Sequence, residues 1–161
     1  MKIHYKLIEH ERTQDAPFMG ALISATRCNY NCKNCFNQEV KKYKTQVKEA
    51  EEIIAEIKAN PFNEGIIFGG LEWSLQMSEM KELAYLAKKA GLLVMAYTGA
   101  ERVTPVYQNG CFDYVKYGRY DETLKSDDHY ECGVKLASTN QHILDMRHWN
   151  EMAGIYQYGR E

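Results

Sequence analysis

The sequence predicts an α/β fold built on a largely parallel sheet. Three observations predict it. Short, continuously apolar runs of strand length recur along the chain. Segments with helical apolar spacing separate them, and a glycine or turn pair follows most of the runs. Apolar runs without alternation fit strands covered on both faces. Right-handed crossovers then put the helices outside and the functional loops beyond the carboxyl ends of the strands. At 161 residues, on a scale of roughly 100–200 residues per domain, residues 1–161 read as a single domain.

The elements follow in order. Phe18-Met19-Gly20-Ala21-Leu22-Ile23-Ser24-Ala25 is a first strand ending just before a cysteine-rich loop. Val47, Ala50, Ile54 and Ile57, widened by Ile53, predict an amphipathic helix over residues 45–59 that stops at Asn60-Pro61. Its charged crowd (Lys48, Glu49, Glu51, Glu52, Glu56) reads as a solvated face. Gly65-Ile66-Ile67-Phe68 is a short strand running into Gly69-Gly70. A second helix has Ser78 as its expected N-cap, and Met80, Leu83, Ala87 and Ala90 on one face. Lys88 and Lys89 fall in its last turn, with Gly91 as its C′ residue. Leu92-Leu93-Val94-Met95-Ala96-Tyr97 is a strand followed by Thr98-Gly99. Thr104-Pro105 opens a short helix ending near Asn109-Gly110, and 112–117 is a further strand before Gly118.

Composition narrows the function classes. Hydrophobic residues make up 45% and charged residues 26%, enough of each for a cored domain. Twenty basic against 22 acidic side chains leave a formal charge of −2, which supplies no general pull toward nucleic acid or anionic lipid. No apolar run approaches the roughly 18 residues of a membrane span. The start, Met1-Lys2-Ile3-His4-Tyr5-Lys6, lacks the apolar region of a secretory signal, so a cytoplasmic location is expected. The 5 histidines show neither H-x3-H nor H-E-x-x-H spacing, so no histidine metal site is expected. Nucleophile-elbow and phosphate-loop patterns are missing too.

Five cysteines are few and odd in number for a disulfide scaffold. Three of them fall within eight residues: Cys28-Asn29-Tyr30-Asn31-Cys32-Lys33-Asn34-Cys35, a C-x3-C-x2-C spacing. Clustered thiols in a reducing compartment bind metal or do redox chemistry, and three soft ligands on one loop fit zinc or an iron–sulfur cluster. A structural zinc site ordinarily splits its ligands between two knuckles, and no second knuckle is present, although Cys111 or Cys132 could serve as a fourth ligand. Three ligands on a four-iron cluster leave one iron open, as catalysis requires. Cys111 and Cys132 otherwise read as small buried hydrophobes.

With this spacing the chain resembles the radical S-adenosylmethionine (SAM) enzymes. More narrowly, it is similar to the activating proteins of anaerobic ribonucleoside-triphosphate reductase. Those are similarly short and carry an aromatic-Asn pair after the third cysteine, as in Cys35-Phe36-Asn37 here. The segment Ala137–Met146, with Ser138-Thr139-Asn140-Gln141, is similar to their late Ser-Ser-Asn-Gln segment, and Asp121-Glu122-Thr123-Leu124 matches their preceding loop. The family commonly has Gly-Gly-Glu-Pro or Gly-Gly-Asp-Pro after the second strand. This chain departs from that, with Leu71 in the acid's place, Glu72 one later and Trp73 where proline would stand.

The resemblance implies a partial (open) β/α barrel of radical SAM type with a mostly parallel sheet. It implies a [4Fe-4S] cluster on Cys28, Cys32 and Cys35, and S-adenosyl-L-methionine held by Phe36, Asn37, Gly69, Gly70, Glu72, Thr98 and Ser138. No catalytic side chain is implied. The expected reaction is reductive cleavage of S-adenosylmethionine to methionine and a 5′-deoxyadenosyl radical, which takes the α-hydrogen of a glycine in the anaerobic reductase. The expected partners are that reductase and a flavodoxin- or ferredoxin-type electron donor, with neither nucleic acid nor membrane. A non-catalytic iron–sulfur electron carrier, or a radical enzyme for another protein, peptide or small molecule, stays open at this point.

Overall fold

The computed structural model describes residues 1–30, 32 and 37–148. Its strands are β1 (Lys2–Tyr5), β2 (Ile8–Arg12), β3 (Gly20–Ser24), β4 (Gln46–Glu49), β5 (Gly65–Gly69), β6 (Leu93–Tyr97), β7 (Tyr114–Tyr117), β8 (Tyr130–Glu131), β9 (Val134–Lys135) and β10 (His142–Asp145). The helices are α1 (Ala50–Ala59), between β4 and β5, and α2 (Met77–Lys89), between β5 and β6. Six strands form one sheet in the order β10-β7-β6-β5-β3-β2. The four central strands β3, β5, β6 and β7 run parallel, while β2 and β10 are antiparallel edges. Among the described residues β2 and β10 do not pair with each other, so the sheet stays open.

Alternation along the central strands builds two cores. Ala21 and Ile23, Ile66 and Phe68, and Val94 and Ala96 face the side where Ile53 and Ile57 of α1 and Met80, Leu83, Ala84 and Ala87 of α2 pack. Leu22, Ile67 and Met95 face the opposite side, against Phe18, Tyr114, Val134, Leu136 and Ile143. Both helices therefore cover one face, and loops with the β8–β9 hairpin cover the other. Among the described residues no helix is long and apolar enough to cross a membrane.

Two boundaries differ from expectation for clear physical reasons. The segment expected as a helix from residue 45 begins instead as β4, which pairs antiparallel with β1 (Ile3 opposite Lys48, His4 opposite Val47). Val47 belongs to that strand and is exposed. The helix starts at Ala50 because Glu49 caps it reciprocally: its carboxylate accepts the Glu52 amide, and the Glu52 carboxylate accepts the Glu49 N–H. Likewise Ser78 lies inside α2, whose N-cap is Gln76. The Gln76 side chain is engaged elsewhere, accepting from Thr26 N and Oγ1 at 2.7 and 2.9 Å and donating to the His4 carbonyl. The other end of α2 is as expected. Gly91 has φ +83°, its N–H reaches the Lys88 carbonyl and the Leu92 N–H reaches the Ala87 carbonyl, the paired bonds of a Schellman cap.

The residues from 104 form a 3-10 turn, Pro105–Tyr107. Cys111 is buried in the helix-side core, as expected. Cys132 is not: it is exposed, at φ +51° beside Gly133 at φ +77°. Positive φ at both central positions is the turn that joins strands as short as β8 and β9, and it projects the thiol to solvent.

Candidate functional site at the carboxyl ends of the central strands

The loops after β3, β5, β6 and β7 all emerge at the same sheet end. The first carries the cysteines. Its base is fixed to the second loop by the Ala25 N–H to the Gly69 carbonyl, the Glu72 N–H to the Arg27 carbonyl (2.9 Å) and the Arg27 guanidinium to the Leu75 carbonyl (2.9 Å). Trp73, fully buried where a proline was expected from the family pattern, donates its indole N–H to the Ile23 carbonyl and packs edge-on against Phe68. The departure at Trp73 thus anchors the loop to the core.

Gly70 is required twice over at this junction. Its φ is +78°, and a Cβ there would stand 2.6 Å from Ser24 Cβ. The Ser24 hydroxyl beneath it is buried and has no hydrogen-bond partner among the described residues. Gly99 is required by close approach, since a Cβ would stand 2.7 Å from the Tyr30 ring. The cysteine loop therefore rests on the bare backbone of the loop after β6.

Glu72 joins these loops. It is 3% exposed, and its carboxylate accepts from Ser74 Oγ (2.6 Å), Ser74 N (3.3 Å), Thr98 Oγ1 (3.0 Å) and Gly99 N (2.8 Å). Such a set satisfies a buried carboxylate by hydrogen bonds in place of a cation. Beside it, the Tyr30 hydroxyl is held above the usual phenol range, first by burial and then by the Glu72 charge, with Cys28 and Cys32 adding to the shift and a Thr98 hydrogen bond opposing it.

Between the loops lies a cavity open to solvent. Of the expected site residues, Cys28, Cys32, Asn37, Gly70, Glu72 and Thr98 line it. Gly69 and Ser138 do not. Gly69 is buried at the end of β5, and Ser138, wholly buried, accepts the Asp121 N–H through its hydroxyl and so holds the loop after β7. Cys35 and Phe36 lie outside the described residues.

Sequence reasoning missed Tyr30, Tyr97, Lys116 and Gln141, which also line the wall. Tyr97 and Lys116 could have been found as residues closing strands on the sheet face away from the helices. The Lys116 ammonium sits 4.5 Å from the Tyr97 ring centre. Gln141 carries no such signal, because its role depends on a long-range return. Its amide bonds Ala137 N, Ser138 N and the Gly118 carbonyl.

Cys28 and Cys32 are both partly buried, and both face one cavity. Two soft sulfur donors in a half-shielded mouth suit iron. No curated protein matches the chain. The model of the 4Fe-4S single cluster domain family matches residues 19–143, from β3 to β10 and across the whole cysteine loop, and the chain belongs to that iron–sulfur family.

Proposed function

We propose that this protein is a radical SAM enzyme that generates a glycyl radical on anaerobic ribonucleoside-triphosphate reductase. The observation that carries the reading is the convergence of Cys28, Cys32, Gly70, Glu72 and Thr98 on one cavity at the carboxyl ends of parallel strands. Ligand sites of open parallel sheets form there.

Cys28, Cys32 and Cys35 would hold three irons of a [4Fe-4S] cluster. When bound, that cluster supplies the electron for reductive cleavage of S-adenosylmethionine. The remaining roles fall to this chain's own groups. Backbone at Gly70 and Gly99 lets a ligand approach without meeting side chains. Tyr30, Tyr97 and Tyr120 offer aromatic surface to a purine. Lys41 and Arg119 line the same cavity and offer charge to a carboxylate. Glu72 acts as a positioning residue, because its acceptor sites are already taken by Ser74, Thr98 and Gly99.

A glycine in a protein substrate suits a site of this kind. It has no side chain to block approach, and its radical is delocalised over the flanking amides. The partner reading rests on the sequence resemblance in Cys35-Phe36-Asn37 and the 137–146 segment, with a flavodoxin- or ferredoxin-type protein as electron donor.

The test is anaerobic reconstitution with iron and sulfide, followed by dithionite, S-adenosylmethionine and the candidate reductase. Release of 5′-deoxyadenosine and a glycyl-radical signal in electron paramagnetic resonance are expected. A reducible cluster without cleavage would make the protein an electron carrier. Cleavage with no glycyl radical would overturn the reductase as substrate.

A further inference from the structure

A second group of metal-binding side chains stands at the far edge of the sheet. His129 precedes β8, Glu131 ends it, and His142 opens β10. Each offers one donor atom, and the three atoms lie within 4.8 Å of one another. Glu131 Oε2 is 2.7 Å from His142 Nδ1 and 3.6 Å from His129 Nε2. The two imidazole rings meet edge to face, 5.9 Å between centres at 87°. We propose that His129, Glu131 and His142 form a site for one divalent transition-metal ion, zinc being the best match, that staples the β8–β9 hairpin to β10.

The donor chemistry selects the ion class. Two imidazole nitrogens and one carboxylate suit zinc and the late first-row metals, whereas magnesium and calcium take oxygen ligands. Zinc bonds of about 2.0–2.2 Å put tetrahedral ligand atoms about 3.3 Å apart. The observed 2.7 and 3.6 Å bracket that spacing, and the two histidine donors lie within 4.8 Å of each other, so side-chain rotations of up to about 1.5 Å close the ligand set. Two neutral imidazoles and one carboxylate leave the bound ion with a single positive charge.

The outer contacts are those of a prepared site. Glu131 Oε1 accepts the Ile143 N–H at 2.8 Å, which turns Oε2 toward the histidines. The His142 ring lies against Tyr117. Side-chain exposures of 20% for His129, 27% for Glu131 and 44% for His142 leave the group reachable from solvent. His129 Nε2 also faces the Gln141 carbonyl at 2.8 Å. Metal entry exchanges that hydrogen bond for a coordinate bond and leaves the carbonyl to accept from a metal-bound water. Gln141 lines the main cavity and directly precedes His142, so the ion would brace the cavity wall from behind.

The test uses the full chain without an affinity tag, carrying Cys28→Ser, Cys32→Ser and Cys35→Ser so that the cysteine loop cannot compete. Zinc titrated against a chromophoric chelator should bind at one equivalent. His129→Ala or His142→Ala should weaken it more than about 100-fold, because loss of an outer-contact partner alone costs 10–100-fold. Cys132→Ser should leave it unchanged. Circular dichroism checks that each variant is folded. A second measurement needs no histidine variant: added zinc should move the imidazole NMR signals of His129 and His142 and leave those of His4, His10 and His148 in place. Failure to bind one equivalent, shifts at the other histidines, or affinity lost only with Cys132→Ser would overturn the proposal.

Discussion

Glu72→Ala should loosen the loops around the cavity before it touches the core. The carboxylate is 3% exposed and accepts from Ser74, Thr98 and Gly99 at 2.6–3.3 Å. Truncation leaves the Thr98 hydroxyl and the Gly99 N–H without their acceptor. A donor stranded in this way costs about 1–3 kcal/mol. Because the residue borders a solvent-open cavity, water can enter the vacated space, so the low end of that range applies to each. The Ser74 contacts add a little more. The total comes to about 2–4 kcal/mol, and at roughly 2–4 °C per kcal/mol for a domain of this size it lowers Tm by about 5–15 °C. Glu72→Gln keeps one acceptor oxygen and should cost about half as much. Thermal unfolding of the anaerobically purified protein, followed by circular dichroism, reads both. If Glu72→Ala shifts Tm by less than the glutamine variant, the carboxylate is not what joins these loops.

Asp113 takes both Lys88 (2.8 and 3.0 Å) and the Val94 N–H (2.8 Å), with the ion pair 9% and 13% exposed. Asp113→Ala should therefore destabilise by about 3–5 kcal/mol in urea unfolding, and adding Lys88→Met should recover part of the loss. Gly99→Ala would drive a methyl into the Tyr30 ring; it should lower the iron content after reconstitution while circular dichroism stays native, and Tyr30→Ala should restore it. The Arg147 side chain, the leading cause, holds the Asp145 carboxyl below its ordinary 3.8. A depressed folded-state pKa stabilises above the unfolded value and loses that stabilisation as pH falls through the folded one. Asp145→Asn should accordingly lower stability near neutrality, where the ionised carboxylate contributes in full, and flatten the stability profile below about pH 4, where the two proteins converge.

The central strands were legible because they are buried on both faces and so read as unbroken apolar runs. β5 (Gly-Ile-Ile-Phe-Gly) is buried at every position. The end of α2 was legible because Lys88, Lys89 and Gly91 act locally. The edges were not. β2 reads Ile-Glu-His-Glu-Arg, with partial and full exposure alternating, and its partner choice is made by β3 rather than by its own sequence. β4 passed for helix because Val47 fits a helical spacing, while the strand opposite it lies more than forty residues away in β1. The cysteine loop was conspicuous in sequence, whereas the Glu72 network needs Thr98 and Gly99 brought alongside by the β5–β6 pairing. The His129, Glu131 and His142 group was invisible for the same reason: its spacing is set by a hairpin and a returning edge strand.

The bare backbone along the cavity has a thermodynamic consequence. Gly70, Gly99 and Gly118 all line it, so between the tyrosine, lysine and arginine side chains a ligand meets three points with no rotamers to lose. Freezing a mobile side chain on binding costs about 0.5–1.5 kcal/mol, and peptide groups at those three points avoid that cost. Adaptation of such a pocket to a different ligand would keep these three positions and exchange the side chains that stand between them.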